Sequence, residues 1–238
     1  MSTKTKHSGR RPAWLIALIS LGALFVIAVV VVVVARFTLY IPYKQPSASM
    51  YPAVLPGDLL FANGLDTAPA RGAVMVFRYP EHRNQVFDKR VIGLPGDTVR
   101  TNGATVFVND WEIPRCSVGQ HSFKEPTGEE HAGELVMEYL GDAVYLIFLD
   151  EVAVFSHEGG PWHVANDQYF VLGDNRNNSH DSRMWFGGTG GGVPLTDTIG
   201  RVRGHHVPKL PPGAEALQPA LEACLAKPAP QTSPPPPK

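Results

Sequence analysis

The sequence predicts a mainly β body preceded by one transmembrane helix, and three observations carry that prediction. Glycine and proline are abundant, at 23 and 22 of 238 residues, well above their usual combined share of about 12%. Charged residues make up only 18% of the chain, below the roughly 25% of an average soluble protein. That composition suits short strands joined by turns better than a helical bundle or coiled coil. The third observation is a long uncharged run near the N-terminus, set apart from everything that follows it.

Residues 1–12 carry Lys4, Lys6, Arg10 and Arg11 and no acid. From Ala13 to Ala35 there is no charged residue, and Val29 to Val34 are all valine. At about 1.5 Å per residue the run is about 34 Å of helix, enough to cross a bilayer core. A cleaved secretory signal is the alternative, with Val33 and Ala35 forming a small-residue cleavage pattern. Its apolar region is only about 7–15 residues long, so the length favours a retained anchor. Lys and Arg before the span place residues 1–12 in the cytoplasm, residues 13–36 in the membrane and the remainder on the far side.

The body, residues 37–207, reads as strands. Asp58–Asn63, Ala73–Tyr79, Gln85–Ile92 and Thr105–Asn109 are short Val-, Phe- and Leu-rich runs bounded by Gly, Pro or Asn. Glu134–Leu140 and Ala143–Leu149 flank Gly141-Asp142, which suits a type II′ hairpin turn. Gln168–Leu172 and Ile199–Arg203 complete the set, with a glycine-rich connection at Gly187–Gly192. Residues 208–238 hold ten prolines and read as an extended or disordered tail that adds nothing to a core. Within it, Ala214–Ala226 can form a weak helix containing Cys224.

Several functions are excluded or disfavoured. A net charge of −1 supplies no field for nucleic acid, and no basic stripe follows the first dozen residues. No G-x-G-x-x-G, P-loop or H-E-x-x-H pattern occurs. The nine histidines are scattered; His205 and His206 are adjacent in a predicted strand, so they point to opposite faces and make poor joint ligands. No metal site and no cofactor are expected. Cys116 and Cys224 are too few for a disulfide scaffold, and no structural disulfide is expected, because Cys224 lies in a tail without a core.

Three polar segments remain. Pro46 to Pro52 (PSASMYP) follows the anchor, and its serines can be ordinary turn residues. In Asp88 to Asp97 (DKRVIGLPGD) a lysine sits inside an apolar strand, where it can also simply snorkel or pair with Asp88. Gly173 to Arg183 (GDNRNNSHDSR) is a dense polar loop that an Asp–Arg pair alone can account for. In this order after one span, the three segments resemble the type I signal peptidase (leader peptidase) family of membrane-anchored serine proteases. That family's S-x-S-M-x-P box matches Ser47 to Pro52, its K-R-[VI]-x-G-x-P-G-D box matches Lys89 to Asp97, and its G-D-N-x-x-x-S-x-D-S-R box matches Gly173 to Arg183. The R-G-D-[IV]-V-V-F box is similar to Arg71 to Phe77. Ala53 departs from the usual Thr, Ala73 from the usual Asp and Asn177 from a common Asp, and Gly187–Gly192 looks like an insertion.

The resemblance implies a catalytic domain of coiled antiparallel sheets in the exported residues 37–207. It implies hydrolysis of N-terminal signal peptides on exported preproteins, with Ser49 as nucleophile and Lys89 as general base. Ser179 would hydrogen-bond and orient the lysine amine, while the Ser49 amide and the Ser47 hydroxyl would bind the oxyanion. Asp181 and Arg183 would hold the Ser179 loop. Chemistry supports the assignment: a serine needs an adjacent base, and a lysine serves once burial has lowered its pKa. A Ser–His–Asp reading through His180 and Asp181 competes, but adjacent residues do not align as base and orienter, and no G-x-S-x-G elbow occurs. The expected partners are preprotein signal peptides with small residues at the first and third positions before the cut, the lipid bilayer and, by proximity, the secretion machinery, but no nucleic acid. Val54, Leu55 and Phe87 can line the pockets for those small residues or be plain core. The expected location is the inner or plasma membrane, single-pass, with the catalytic domain on the periplasmic or extracellular side. Two further readings stand beside this one: a dedicated peptidase for a pilin-like or conjugative-transfer substrate, and a catalytically lapsed, membrane-tethered binding module.

Overall fold

The computed structural model describes residues 12–152, 158–203, 208–227 and 233–236. Helix α1 (Ala13–Leu39) opens it. Its Ala13–Arg36 span is long and apolar enough to cross a membrane, and its most apolar stretch is not buried among the described residues. An apolar surface on all sides suits lipid rather than a protein core. The body begins with β1 (Ile41–Lys44), β2 (Leu59–Asn63), β3 (Val74–Tyr79) and β4 (His82–Gly93). It continues with β5 (Thr98–Asn102), β6 (Thr105–Val108), β7 (Trp111–Glu112), β8 (Arg115–Lys124), β9 (Glu130–Leu140) and β10 (Ala143–Asp150). β11 (Gly159–His163), β12 (Gln168–Leu172), β13 (Val193–Pro194), β14 (Thr198–Val202) and the short helix α2 (Gln218–Leu225) follow.

Among the described residues every strand pairing is antiparallel, in three sheets. Seven strands run in the order β1-β2-β14-β3-β4-β12-β13, three in the order β10-β9-β8 and four in the order β11-β5-β6-β7. The fold is mainly β with one long apolar helix ahead of it. The sheets meet around a core in which Ile92 of β4, Val99 of β5, Val136 of β9, Ile147 of β10 and Phe170 of β12 pack together. β4 crosses from solvent into that core: residues 82–86 are exposed and residues 89–93 buried. This gradient brings Lys89 to the interior. Gly141 turns β9 into β10 at φ +63°, the left-handed backbone that the Gly-Asp turn requires.

The eight expected strands all form, with ends shifted by a few residues. The strands not anticipated are short or polar. β8 reads RCSVGQHSFK, and only Cys116 and Val118 of it are buried, so its sequence carries little hydrophobic alternation. His205 and His206 lie outside the described residues.

Two expectations about the C-terminal segment are overturned. Cys116 and Cys224 form a disulfide, their Cα atoms 5.9 Å apart. The proline-rich segment also adds to a core: Ala214, Leu221 and Cys224 are buried among Tyr51, Val118, Leu135, Met137 and Phe148. Composition concealed this. A few apolar residues on one face of α2 suffice once β8 and β9 offer a surface to pack on, however many prolines surround them.

Candidate active site

Ser49 lies in a single turn of 3₁₀ helix, Ala48–Met50, between β1 and β2. Ala48 and Met50 are buried, which turns the intervening Ser49 side chain toward a cleft. Ser47 precedes the turn in extended conformation and its hydroxyl oxygen caps it, 3.5 Å from the Ser49 amide and 3.2 Å from the Ser49 hydroxyl. The Ser49 carbonyl accepts a hydrogen bond of 3.2 Å from the Asn175 amide. The serine turn is thereby tied to the polar loop that follows β12.

Lys89 projects from β4 into the same cleft and is 4% exposed. Its Nζ is 2.9 Å from Ser49 Oγ and donates to the Asp88 carbonyl at 2.8 Å. The Phe87 ring stands 5.4 Å from the amine. Burial lowers the Lys89 pKa, with Asp88, Asp181 and Asp174 opposing the shift. Next on the strand, Arg90 points to the opposite face and makes paired bonds of 2.6 and 2.5 Å to Asp174.

The loop 173–183 is an interior polar network. Asp181 accepts from the Gly173 amide at 2.9 Å and pairs with Arg183 through two bonds of 2.8 Å. Burial alone would raise the Asp181 pKa, but Arg183 and the Gly173 amide hold it below the usual carboxylate value. Arg183 also donates to the Arg176 carbonyl, and Arg176 pairs with Glu138 of β9. Gly173 is where the loop touches the serine. A Cβ there would overlap the Ser179 side chain and lie 2.5 Å from the Ser49 carbonyl oxygen.

Ser179 is fully buried beside Gly173, but the expected hydrogen bond to Lys89 is not made. Its hydroxyl lies close enough to the Asp181 carboxylate to lower that pKa, yet among the described residues meets no partner at hydrogen-bond geometry. The Asp88 carbonyl is the second contact of the lysine amine instead. His180 borders the cleft with its Nε2 3.0 Å from the Tyr79 hydroxyl. The cleft has a volume of about 290 Å³ and is lined by Ser47, Ser49 and Lys89 together with Val76, Val86 and Phe87. Gln45 and Asp88 add a polar edge, joined at 3.3 Å. Of the three residues considered for pockets, Phe87 lines this cleft. Val54 is wholly buried with Met50 and Leu60, and Leu55 borders a separate cavity.

Sequence reasoning did not single out Val76, Val86 or Gln45. The alternation of β3, with Val74 and Val76 on one face and Met75 and Phe77 on the other, was the available signal. Among the described residues no cluster of three or more His, Cys, Asp or Glu side chains is arranged to hold a metal ion.

A mainly β body behind one apolar helix, with a serine hydroxyl held against a buried lysine amine, defines a narrow structural class. The chain belongs to the signal peptidase family, peptidase S26, whose family model matches residues 18–206. Signal peptidase I of Pseudomonas aeruginosa is 38% identical over 184 residues, covering 71% of this chain and 63% of that protein. The Pseudomonas fluorescens enzyme is 35% identical over 184 residues with the same coverage. That of Buchnera aphidicola is 28% identical over 234 residues, covering 76% and 74%. This chain thus spans about 63% of the length of the two Pseudomonas relatives.

Proposed function

We propose that this chain is a membrane-anchored serine endopeptidase that removes N-terminal signal peptides from exported preproteins. The observation that carries the reading is the 2.9 Å approach of a buried Lys89 amine to the Ser49 hydroxyl. A lysine acts as a base only when neutral, and desolvation favours the neutral form. In the neutral amine one hydrogen goes to the Asp88 carbonyl, and the lone pair is free to accept the proton of the Ser49 hydroxyl 2.9 Å away. As Oγ attacks the scissile carbonyl, Lys89 takes its proton and then delivers it to the leaving amine. The acyl-enzyme is hydrolysed by water activated through the same nitrogen. The Ser49 amide and the Ser47 hydroxyl stand together beside Oγ and supply the two donors to the developing oxyanion.

Ser49 follows the end of α1 by ten residues, so the cleft works close to the membrane surface. Its substrates are preproteins whose apolar segment is still in the bilayer. Val76, Val86 and Phe87 form the apolar wall against which small side chains before the cut are seated, and larger ones are excluded by lack of room. The basic residues Lys4, Lys6, Arg10 and Arg11 keep the N-terminus in the cytoplasm. The test is cleavage of an exported preprotein by the purified full chain in detergent, with the new N-terminus sequenced. Wild type should cut once, after a small residue, and Ser49→Ala should lose at least about a thousandfold in rate. Equal cutting by Ser49→Ala would overturn the reading.

A further inference from the structure

Behind the serine turn lies a buttress that neither the motifs nor the catalytic chemistry requires. Ala48 and Tyr51, on either side of Ser49 and Met50, belong to the same buried cluster as Cys116, Ala214, Leu221 and Cys224. Tyr51 is stacked on Phe123 of β8 with ring centroids 3.7 Å apart and meets Phe148 of β10 edge-on at 5.4 Å. Its hydroxyl shares a 2.7 Å hydrogen bond with His121 of β8. The serine turn therefore rests on β8 through one aromatic side chain.

β8 is in turn clamped by the C-terminal segment. The Cys116–Cys224 disulfide joins it to α2 across 108 residues of sequence. The Tyr139 hydroxyl of β9 donates to the Cys224 carbonyl at 2.8 Å. Gly119 of β8 has no side chain where Leu217 closes in; a Cβ would lie 2.8 Å from the leucine Cδ2. Over the residues just after the turn the support is open. A cavity of about 1360 Å³ is lined by Pro52, Ala53 and Leu55 on one side and Leu210, Leu221 and Leu225 on the other. The C-terminal segment thus reaches the serine turn through Tyr51 and β8, with Leu55 packed against the same cluster.

We propose that Cys224 and Leu221 are positioning residues for catalysis: the disulfide-latched C-terminal segment fixes β8, and β8 fixes Ser49 opposite Lys89. The inference rests on Ser49 being the nucleophile. A displacement of about 1 Å in a reacting group costs on the order of a hundredfold in rate, so a loosened platform should lower kcat while leaving the cleft, and KM, intact.

The experiment measures kcat and KM on one preprotein, with the full chain in detergent, for wild type, Cys224→Ser, Cys116→Ser/Cys224→Ser and Leu221→Ala. Folded content is followed by near-ultraviolet circular dichroism. Both cysteine variants should lose about tenfold to a hundredfold in kcat, with KM within about twofold of wild type. Dithiothreitol should bring wild type to the same level, its two thiols becoming its own disulfide as the protein's is reduced. It should leave the double variant unchanged, and reoxidation should restore wild type. Leu221→Ala, which keeps the disulfide, should show a smaller kcat loss. Unchanged kcat in the double variant, or a loss that only tracks the loss of folded protein, would overturn the proposal. If Ser49→Ala is inactive and the double variant is fully active, the buttress alone fails; if Ser49→Ala is fully active, the nucleophile assignment fails with it.

Discussion

Lys89 can be both buried and useful because its surroundings divide the work. Phe87 and the strand interior exclude water, the Asp88 carbonyl takes one amine hydrogen, and Ser49 Oγ meets the amine from another side. The acids near it are directed elsewhere: Asp174 is bound to Arg90 and Asp181 to Arg183. Their residual field opposes the shift but does not reverse it. With the pKa lowered by burial, kcat/KM for preprotein cleavage should rise with pH through a value below the usual 10.5 of lysine. Stability carries the same sign. Between the folded-state pKa and 10.5 the unfolded chain binds the extra proton, so stability should rise with pH across that window. A kcat/KM limb centred at or above the usual lysine value would contradict the assignment. The meeting of Ser49 and Lys89 was legible because their boxes carry unusual residue types in an unusual order. The Asp88 carbonyl was not, because a backbone group leaves no trace in side-chain patterns. The missing Ser179–Lys89 hydrogen bond has a related cause: a motif position fixes neighbourhood, while hydrogen-bond geometry depends on where Gly173 and Asp181 hold the loop.

At the scale of elements, the loop after β12 links the two halves of the site: Asp174 pairs with Arg90 of β4, and Gly173 approaches Ser49 in the turn between β1 and β2. Gly173→Ala should therefore harm catalysis more than its size suggests. The new methyl must displace either Ser179 or the Ser49 carbonyl, and such overpacking costs about 1–3 kcal/mol. The variant should fold with a lowered melting temperature and a kcat reduced at least about tenfold; wild-type kcat would count against this contact. Strands with clear alternation or dense Val, Phe and Leu were readable. β8 was not, because half of its length is exposed and its inward residues include a cysteine and a glycine. Its identity as a strand comes from pairing with β9, a nonlocal interaction that sets structure more strongly than local preference does in sheets.

The whole molecule joins a lipid-compatible helix to a β body whose cleft opens a short chain length away. Its two ends differ in how far sequence foretold them. The N-terminal span was evident from length and absence of charge, both local properties. The C-terminal segment was misread because its burial depends on the surface of β8 and β9 and on a cysteine partner more than a hundred residues away. The orientation proposed above has a direct consequence. Protease added outside intact spheroplasts should digest the body, and protection until lysis would reverse the topology. The central claim, that Lys89 accepts the proton of Ser49, is tested most directly by Lys89→Arg. A guanidinium keeps the charge and much of the length but does not release its proton in proteins. Preprotein cleavage by this variant, measured against wild type between pH 7 and 10 with folding verified, should fall at least about a thousandfold at every pH. Cleavage near the wild-type rate would mean that another group, with His180 the first to examine, takes the serine's proton.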